Sequence, residues 1–574
     1  MTDRLRVARP WLILACVVAQ TGFILDACWA AAADDAAPNA AASGVVRLTG
    51  YTCDGDCDRD RAVTVDELVT GVNIAVGKTA LDQCPAFDCN GDGQVTVDCL
   101  VKGVKDLLEG CPSNVANPTL SGPVTGGSGA PFILGTSFDL SQVGYSQLEY
   151  LFAGTASAYA NVGPLGPDGQ WTVTPAATAA YKTRLLIYRP TDPTRFNGTV
   201  IVEWLNVSAG ADTAPDWLQG HTELIRDGFV WVGVSAQIVG VEGGPALVGV
   251  ISLPLVKADP VRYGSLVHPG DSFSYDIFSQ AGQAIRHPVG VQNPLGDLHI
   301  ERVIAAGESQ SAFRMVTYIN AVHPLAEIYD GFFVHSRGAL GAALSEAPQP
   351  AIPVDNTALI RTDIDVPVLI FETETDLTFL GYFPIQQADS ERVHLWEVAG
   401  TSHADAYQSG LGFNDVGDSP DSAKLVLTNG LGCATPINDG PQHFVVNAAL
   451  AALDRWVRDG TVPPTAPHLE ATAGPPIAIT RDDNGNALGG VRTPQVDVPI
   501  AAFTGEQPNA TVLCTLFGTT TPFDATMLAA LYPTHDAYVS AFDAATDRAV
   551  QGGFVLAPDA DLMKQAAAEA DVPQ

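Results

Sequence analysis

The chain has 574 residues, a formal net charge of −35 and a pI near 4.4. A protein this acidic is not expected to bind nucleic acid or anionic membrane surfaces, because contact with phosphate groups requires concentrated Lys and Arg. Hydrophobic residues make up 46% of the sequence, which is enough to build a large buried core.

Residues 1–33 have the features of a secretory signal. Arginines precede an apolar run over residues 11–25, and small residues follow at 30–33. The run is too short and interrupted for a membrane span, and no later segment has the length of a transmembrane helix. We therefore expect a secreted or periplasmic protein without a transmembrane anchor. Cys16 and Cys28 leave a lipoprotein as the minor alternative.

After a linker at residues 34–49, residues 50–112 contain an internal repeat. The stretch that begins at Asp56 recurs 32 residues later, at Asp88. In both copies, oxygen-bearing residues recur at the spacing of a calcium-binding loop. Calcium is a hard cation that takes about six to eight oxygen ligands. The predicted ligands of structural calcium are Asp56, Asp58, Asp60, Ala62 (through its carbonyl), Thr64, Glu67, Asp88, Asn90, Asp92, Gln94 and Thr96.

The repeat resembles EF-hand or dockerin-type calcium repeats, and the resemblance implies a small all-α module that binds calcium. Neither loop has a convincing entering helix, which favours the dockerin-like form. Arg61 replaces the glycine of the first loop, and Cys99 replaces the acidic ligand of the second, where Asp98 is a substitute after a register change. The alternative is a cystine-stapled acidic module that binds metal poorly. The resemblance also allows a protein partner for this module.

The ten cysteines of an exported chain predict disulfides. Cys16 and Cys28 would leave with the signal. Six more fall between residues 53 and 111 and would staple the calcium module, in a connectivity that the sequence does not fix. Cys433 and Cys514 then remain in the rest of the chain, beyond this module. We expect them to pair, since an unpaired thiol there would be prone to oxidation.

Residues 113–135 are rich in proline and glycine, which predicts a flexible linker, and residues 136–574 form the predicted catalytic domain. Within that domain an apolar strand-type run ends in Gly-Glu-Ser-Gln-Ser at 307–311, and a helical pattern follows. Strand, sharp turn with a central serine, and helix is the layout of a nucleophile elbow. Such a turn exposes the Ser309 hydroxyl and aims the Gln310 N–H at a developing oxyanion.

Two further residues supply what a weak serine nucleophile needs, an adjacent base and an acid that orients it. A buried-strand run at 366–371 leads to Asp376, and a later strand leads to a loop with His403. The order serine, acid, histidine fits the elbow, and parallel sheets place active sites beyond the C-terminal ends of their strands. Glu372 and Glu374 remain rivals of Asp376 for the role of the acid.

Three motifs, Gly-Glu-Ser-Gln-Ser-Ala, Glu-Thr-Glu-Thr-Asp and Gly-Thr-Ser-His-Ala-Asp, resemble those of the α/β-hydrolase superfamily, in particular a bacterial branch of "α/β hydrolase domain" proteins. The resemblance extends over about residues 136–560. It implies an α/β fold whose mostly parallel sheet is flanked by helices, beside the small all-α calcium module. Ser311 departs from the usual elbow, which carries a second glycine so that helix and strand pack closely.

These features predict an exported serine hydrolase that cleaves carboxylic esters through an acyl-enzyme and uses no cofactor for catalysis. Ser309 would attack the ester, His403 would accept and return its proton, and Asp376 would orient the imidazole. The substrate would be a small-molecule or polymeric ester. The backbone N–H groups predicted to form the oxyanion hole are those of Gln310, Leu205 and Asn206.

Two other functions stay open at this point. The chain could be a calcium-dependent adhesion or scaffold protein with an inactive hydrolase-like platform, or the same triad could serve acyl transfer or peptide cleavage. His335 and Ser336 follow another strand and either line the pocket or form a polar pair at the strand end. Segments 238–264 and 338–363 look inserted, and the second lies where the superfamily often carries a lid.

Overall fold

The computed structural model describes residues 53–57, 63–109, 111, 114–136, 138–248, 251–288, 293–410, 415–429, 431–507 and 510–572. The predicted signal and first linker, residues 1–49, lie outside the described residues, as do the predicted calcium ligands Asp58, Asp60 and Ala62. Within the described part of the chain, no helix has both the length and the apolar character needed to span a bilayer.

A nine-stranded sheet forms the centre of the larger part of the chain, which follows the small module. Its strands are β1 Thr119–Ser121, β2 Tyr145–Asn161, β3 Val173–Pro190, β4 Thr199–Trp204, β5 Val230–Val234, β6 Arg302–Glu308, β7 Gly331–His335, β8 Val368–Thr373 and β9 Val393–Val398. They lie in the order β1-β2-β3-β5-β4-β6-β7-β8-β9. The pairings from β5 through β9 are parallel, whereas β1, β2 and β3 form an antiparallel edge beside β5. The predicted mostly parallel sheet is confirmed.

Helices cover both faces of this sheet. The helices of eight or more residues are α1 Val65–Ala75, α2 Val97–Glu109, α3 Pro215–Arg226, α4 Ser274–Arg286, α5 Gln310–Thr317, α6 Gln442–Asp459, α7 His535–Gln551 and α8 Ala557–Glu569. Shorter α-helices span Ile238–Val241, Leu255–Ala258, Pro260–Tyr263, His323–Ala326, Glu374–Thr378, Pro494–Asp497, Val512–Leu516 and Ala525–Leu531, and a π-helical turn spans Tyr318–Val322.

The central strands are buried on both faces. In β4, Val202 packs with the apolar side chains of α4 and α5, whereas its neighbour Ile201 packs on the opposite face with those of α3 and α6. This alternation follows from the two-residue period of a strand. Because neither face meets water, these strands appear in the sequence as continuous apolar runs, and such runs located the ends of β6 and β8.

The segment predicted as a flexible linker, residues 113–135, belongs to the packed fold over its described residues 114–135. The buried side chain of Leu120 lies in β1, which pairs with β2. Arg262 donates to the carbonyl of Gly126 (2.9 Å). This corrects the prediction: a proline-rich segment needs few backbone donors and therefore suits the edge of a sheet, which composition alone does not distinguish from a tether.

The small module contains α1, α2 and three disulfides, Cys53–Cys111, Cys57–Cys84 and Cys89–Cys99. Phe87 is fully buried between the two helices. A Cβ added at Gly71 or Gly103 would lie 2.6 or 2.8 Å from its ring, so the helices approach the ring closely because they carry glycine there. An apolar stripe remains exposed at equivalent positions along both helices, Val65, Val69 and Val72 of α1 with Val76 at its C-terminal cap, and Val97, Val101, Val104 and Leu108 of α2.

The C-terminal part adds two small hairpins and, besides short helices, the two longer helices α7 and α8. The hairpins pair β10 Ala471–Thr472 with β11 Ala478–Ile479 and β12 Ala501–Thr504 with β13 Thr519–Pro522. Helices α7 and α8 contribute Phe542 and Met563 to an apolar cluster that includes Phe444 of α6. Cys514 is bonded to Cys433, so the predicted disulfide that ties this part of the chain to the core is confirmed.

Replacement of both Cys433 and Cys514 by serine should lower the free energy of unfolding of the catalytic part. The two cysteines are 81 residues apart, and in the loop-entropy description a loop of that length is worth roughly 4 to 5 kcal/mol. Denaturant unfolding measures the loss. The matched control replaces Cys89 and Cys99, whose loop spans 10 residues within the small module. An unchanged unfolding midpoint of the Cys433 and Cys514 variant would contradict a structural role.

Candidate active site

Ser309 lies at the sharp turn between β6 and α5. Its backbone has φ 58° and ψ −122°, a conformation that residues other than glycine rarely adopt. The Ser309 N–H donates to the carbonyl of His335 at the end of the neighbouring strand β7 (2.9 Å). This bond holds the turn against the sheet and leaves the serine side chain at the C-terminal edge of the parallel strands.

Gly307 and Ser311 allow β6 and α5 to approach each other closely. A Cβ added at Gly307 would lie 3.2 Å from the Cβ of Ser311 and 3.1 Å from the Cγ of Met315. Ser311 itself is completely buried. The serine that departs from the usual elbow is therefore accommodated by the space that Gly307 leaves open.

His403 and Asp376 reach Ser309 from two other strand ends. His403 lies in the loop after β9, and its Nε2 is 2.7 Å from the Ser309 Oγ. Its Nδ1 is 2.7 Å from Oδ1 of Asp376, which follows β8. With the proton assigned to Nδ1, the imidazole donates to the carboxylate and accepts from the serine hydroxyl. The structure thus brings together the three residues that were predicted to act together.

Local bonding fixes the Asp376 carboxylate. Its second oxygen, Oδ2, accepts from both the N–H and the hydroxyl of Thr373, each at 2.7 Å. The pair forms a capping box at the start of the short helix Glu374–Thr378, so the carboxylate satisfies a helix end with one oxygen and the histidine with the other. Little rotational freedom remains for the side chain.

The rival acids face other groups. The Glu374 carboxylate accepts from the Gly400 N–H (2.7 Å) and pairs with Arg481 (2.9 Å), which makes it a structural ion pair. Glu372 is fully buried, and burial raises the pKa of its carboxyl well above its ordinary range, which disfavours the charged form that an orienting acid needs. Asp376 is the acid in contact with the histidine.

The charge environment favours a protonated His403. Burial of the imidazole acts to lower its pKa, but the adjacent Asp376 carboxylate and, to a smaller extent, Glu308 outweigh burial. The pKa of His403 is therefore raised above its ordinary value. Since the imidazolium is the form that appears after proton transfer from a serine, this shift makes the histidine a stronger base.

Glu308 is a second carboxyl group beside His403 that was not predicted from the sequence. Its Oε1 is 3.6 Å from the histidine Nε2, and its Oε2 accepts from the Asn206 side-chain amide (3.3 Å). Burial raises the pKa of Glu308 to about 7, although His403 acts in the opposite direction. The signal in the sequence was its position, directly before the serine at the end of a strand.

His335 and Ser336 do not line the cavity beside Ser309. The His335 ring bonds Asp216 through Nδ1 (2.9 Å) and Gln442 through Nε2 (3.1 Å). Burial lowers the pKa of His335 to about 4, so the ring is neutral near pH 7. Of the two interpretations left open, the polar group at a strand end describes His335.

The backbone N–H groups predicted to form the oxyanion hole differ in whether another group already accepts from them. The Gln310 N–H opens α5, and no acceptor engages it among the described residues. The Leu205 N–H, in contrast, donates to the carbonyl of Val234 (3.2 Å), and the Asn206 N–H donates to that of Thr213 (3.0 Å). This corrects the predicted second donor, because the irregular pairing after β4 already uses both groups.

A cavity of about 580 Å³ opens at Ser309 and His403. Within the described chain it has no Lys or Arg in its lining, although Glu308, Asp415 and Asp439 contribute carboxyl groups. The remaining lining is mostly apolar, and it includes Leu134, Phe138, Leu218, Ile251, Val426 and Leu513. An apolar cavity with a few convergent polar groups is the usual form of a small-molecule site.

The segment at 338–363, which occupies a usual lid position, contributes no residue to this cavity. It packs beside α5 instead: the Thr317 hydroxyl donates to the carbonyl of Ala342 (2.6 Å), and Arg314 pairs with Glu346 (2.7 Å). The expectation of a lid is thus not met by this segment. These contacts to buried polar side chains of α5 connect the segment to the core.

In the first predicted calcium loop, two candidate ligands are engaged within the protein. The Glu67 carboxylate accepts from the Thr64 N–H and the Cys57 N–H, both at 2.7 Å, and Thr64 caps α1. Among the described residues, the side chains of Cys53, Asp56 and Cys111 are of metal-ligand type and lie close to one another. The two cysteines form a disulfide, so this group is not a metal site.

In the second predicted loop, candidate ligands bond to other groups of the same loop. Asp88 Oδ2 accepts from the Gly93 N–H (3.1 Å), and Asp92 accepts from the Asn90 amide (2.9 Å). The Gly93 backbone, at φ 82°, makes the turn that such a loop requires. Cys99, at the last ligand position, is bonded to Cys89. The loop therefore fits a hard cation through three side chains and lacks the final acidic ligand.

The sheet order, the elbow and the triad-like contacts are those of an α/β hydrolase. Residues 120–565 match the family described as alpha/beta hydrolase domain, and the chain belongs to that family. No curated protein matches. The match begins at residue 120, inside the segment that composition assigned to a linker.

Solved structures with some likeness include hydrolases and esterases. An α/β serine hydrolase without a lid from Xanthomonas campestris is 11% identical, with a TM-score of 0.23, over 42% of this chain and 83% of that one. An esterase from Rhizomucor miehei is 13% identical, with a TM-score of 0.27, over 53% and 85%. Acetyl xylan esterase 1 from Thermoanaerobacterium is 11% identical, with a TM-score of 0.26, over 49% and 81%. Structural similarity this low does not indicate which substrate the protein uses.

The pKa of His403 can be measured directly. We expect its imidazole to titrate above the ordinary histidine value of about 6.5, because nearby carboxylates favour its charged form. Glu308→Gln should move the midpoint to lower pH, since it removes one of those carboxylates. NMR of ¹³C-histidine-labelled protein follows the titration, and His335, neutral down to about pH 4, is the internal control. A midpoint at or below 6.5 in the native protein would contradict the assigned environment.

Proposed function

We propose that the protein is an exported serine hydrolase that cleaves carboxylic esters through a covalent acyl-enzyme. The observation that carries this proposal is the hydrogen-bonded series Ser309, His403 and Asp376 at the wall of an apolar cavity. A purely adhesive or scaffolding domain would have no need of all three groups in bonding contact, which speaks against the inactive-platform alternative.

In the first half-reaction, the Ser309 Oγ attacks the ester carbonyl carbon while its proton passes to His403 Nε2. Asp376, bonded to Nδ1, stabilises the imidazolium and holds the ring in the tautomer that can accept the proton. The imidazolium then gives the proton to the departing alkoxide. The products of this step are an alcohol and an acyl group esterified to Ser309.

In the second half-reaction, water replaces the alcohol. His403 takes a proton from the water as it attacks the acyl carbon, and returns it to the Ser309 oxygen as the carboxylic acid leaves. Negative charge develops on the carbonyl oxygen in both steps. The free Gln310 N–H is one donor for it, and the Ser208 hydroxyl, which faces the cavity without a partner among the described residues, is our candidate for the second.

The cavity lining favours an apolar and uncharged substrate. The described lining has no cationic side chain for a carboxylate or phosphate on the substrate, whereas Asp415 and Glu308 would repel one. Acyl transfer or peptide cleavage would use the same three residues, and no observed feature selects an acceptor other than water. Ester hydrolysis is therefore the activity that we propose.

Substitutions at the three residues should separate their roles. We expect Ser309→Ala and His403→Ala each to lower ester turnover roughly a million-fold, as in triads whose members act as a unit. Asp376→Asn should cost about ten-thousand-fold, because the histidine would hold the wrong tautomer. Steady-state hydrolysis of p-nitrophenyl butyrate measures all three.

The matched control is Ser311→Ala, two residues from the nucleophile, whose buried hydroxyl has no partner among the described residues. It should retain turnover within about twofold, as expected for a substitution that removes no transition-state contact. Ester turnover at the native rate in Ser309→Ala would contradict the proposal. A severe loss in Glu374→Gln, with little loss in Asp376→Asn, would move the acid role to Glu374.

Export and calcium binding belong to the same proposal. Four disulfides among the described residues support export, because such bonds persist in oxidising compartments. Calcium would be held in the second loop by Asp88, Asn90 and Asp92, and its charge would offset the repulsion between their oxygens. A protein partner for the module is supported by the duplicated exposed stripe on α1 and α2, since contiguous exposed apolar surface marks interaction sites.

Calcium should stabilise the small module and leave ester turnover unchanged. Binding to the folded loop raises its unfolding temperature by mass action, and Asp88→Asn with Asp92→Asn should abolish the effect. Calorimetric titration of the full chain measures binding, and Asp82→Asn, an exposed acid outside the loop, is the control. Loss of turnover with a chelator, restored by calcium, would show instead that the metal supports catalysis.

A further inference from the structure

The buried side chain of Asn206 lies between the end of β6 and the loop that follows β4. Its Nδ2 donates to the backbone carbonyl of Glu308 (3.1 Å) and to Oε2 of the same residue (3.3 Å). Its Oδ1 accepts from the Ser208 N–H (2.8 Å). These partners fix the orientation of the amide, because the reverse orientation would set its oxygen against the Glu308 carbonyl and its NH2 group against an N–H. Both polar atoms of this side chain are therefore committed to bonds.

The peptide group between Glu308 and Ser309 is held at both of its ends. Its carbonyl accepts from the Asn206 amide, and its N–H donates to the carbonyl of His335 (2.9 Å). The two partners belong to opposite neighbours of β6, since Asn206 follows β4 and His335 ends β7. The φ angle of Ser309 describes the rotation of this same peptide group about the N–Cα bond. Asn206 therefore acts directly on the unfavourable φ of 58° at the nucleophile.

The same residue closes the loop that carries Ser208, residues 206–213. The Asn206 backbone carbonyl accepts from the N–H and the hydroxyl of Thr213 (2.8 and 3.0 Å), and the Asn206 side chain accepts from the Ser208 N–H. The Ser208 carbonyl in turn accepts from the Val248 N–H (2.9 Å). The backbone on both sides of the Ser208 side chain is thus fixed, while its hydroxyl faces the cavity without a partner among the described residues.

We propose that Asn206 is a positioning residue for the oxyanion hole. It holds the turn that presents the Gln310 N–H and the loop that presents the Ser208 hydroxyl in a fixed relation to each other. Donors that are already in place when charge develops need no reorganisation during the reaction, which is the main source of their effect on rate. The inference rests on the proposed ester hydrolysis and on Ser208 as the second donor. Asn206 acts through these groups, since its own amide atoms are occupied.

Asn206→Ala removes all three side-chain bonds and tests the proposal. We expect kcat for p-nitrophenyl butyrate to fall about 100-fold, as for the loss of an oxyanion donor, with KM changed by less than about threefold, because the lost contact acts in the transition state. The matched control is Asn320→Ala. Asn320 is an equally buried amide that donates to the Leu359 carbonyl (2.8 Å) and accepts from the Arg361 N–H (3.0 Å). Its loss should leave kcat within about twofold, since it removes no transition-state contact.

A double variant tests whether Asn206 acts through Ser208. Ser208→Ala should also lower kcat about 100-fold. The combination with Asn206→Ala should lose no more than about threefold beyond the larger single loss, because residues that act as a unit are not additive. Asn206→Asp separates the two halves of the contact: it keeps an acceptor for the Ser208 N–H and sets a carboxylate against the Glu308 carbonyl. We expect it to lower kcat at least about tenfold, again with little change in KM.

Unfolding temperatures show which variants are folded, and Asn206→Asp, the smaller change, decides the question if Asn206→Ala does not fold. Native kcat in a folded Asn206 variant would overturn the proposal. Losses for Asn206→Ala and Ser208→Ala that multiply in the double variant would overturn it as well, because the two residues would then act independently. Absence of ester hydrolysis by the native chain would instead overturn the proposed function, whereas hydrolysis that is insensitive to Asn206 would leave that function intact and contradict this inference alone.

Discussion

The backbone of Ser309 is the constraint on which the site depends. A non-glycine residue at φ 58° and ψ −122° costs on the order of 1–3 kcal/mol, and such a conformation persists only where the surroundings enforce it. Here the bond to the His335 carbonyl and the close packing of Gly307 against Ser311 enforce it. The hydroxyl is thereby held above the sheet edge, within bonding distance of His403.

The parallel direction of the strands places the turn at Ser309 beside the residues that act with it. Because β6, β8 and β9 run in the same direction, their C-terminal ends deliver Ser309, Asp376 and His403 to one edge. Buried carboxyl groups then set the charge. Asp376 and Glu308 lie on opposite ring nitrogens of His403, at 2.7 and 3.6 Å, so a positive charge that forms on the ring is stabilised from both sides.

Residues with strong local signals were predictable from the sequence. Ser309 follows an apolar run and precedes a helix, and the strand ends before Asp376 and His403 are marked in the same way, because doubly buried strands must be apolar. The Cys433–Cys514 disulfide was predictable because these two cysteines remain once those of the signal and of the small module are set aside. These predictions needed only the chain direction and the residue types.

Features that depend on tertiary partners were not predictable. Leu205 and Asn206 follow the correct strand, but their N–H groups are taken by carbonyls of Val234 and Thr213, which no local pattern reveals. Glu308 stands directly before Ser309 in the sequence, but its contact with His403 depends on where the fold brings the histidine loop. The segment at 113–135 has the composition of a tether, yet its residues 119–121 pair with the edge of β2.

Covalent labelling of Ser309 tests the central claim most directly. The native chain is treated with a fluorophosphonate, the intact mass is measured, and the modified peptide is mapped. The account predicts a single adduct at Ser309 that forms at least about a thousandfold more slowly in His403→Ala, because the hydroxyl then lacks its base. A folded native chain that acquires no adduct, or an adduct on another residue, would contradict the account.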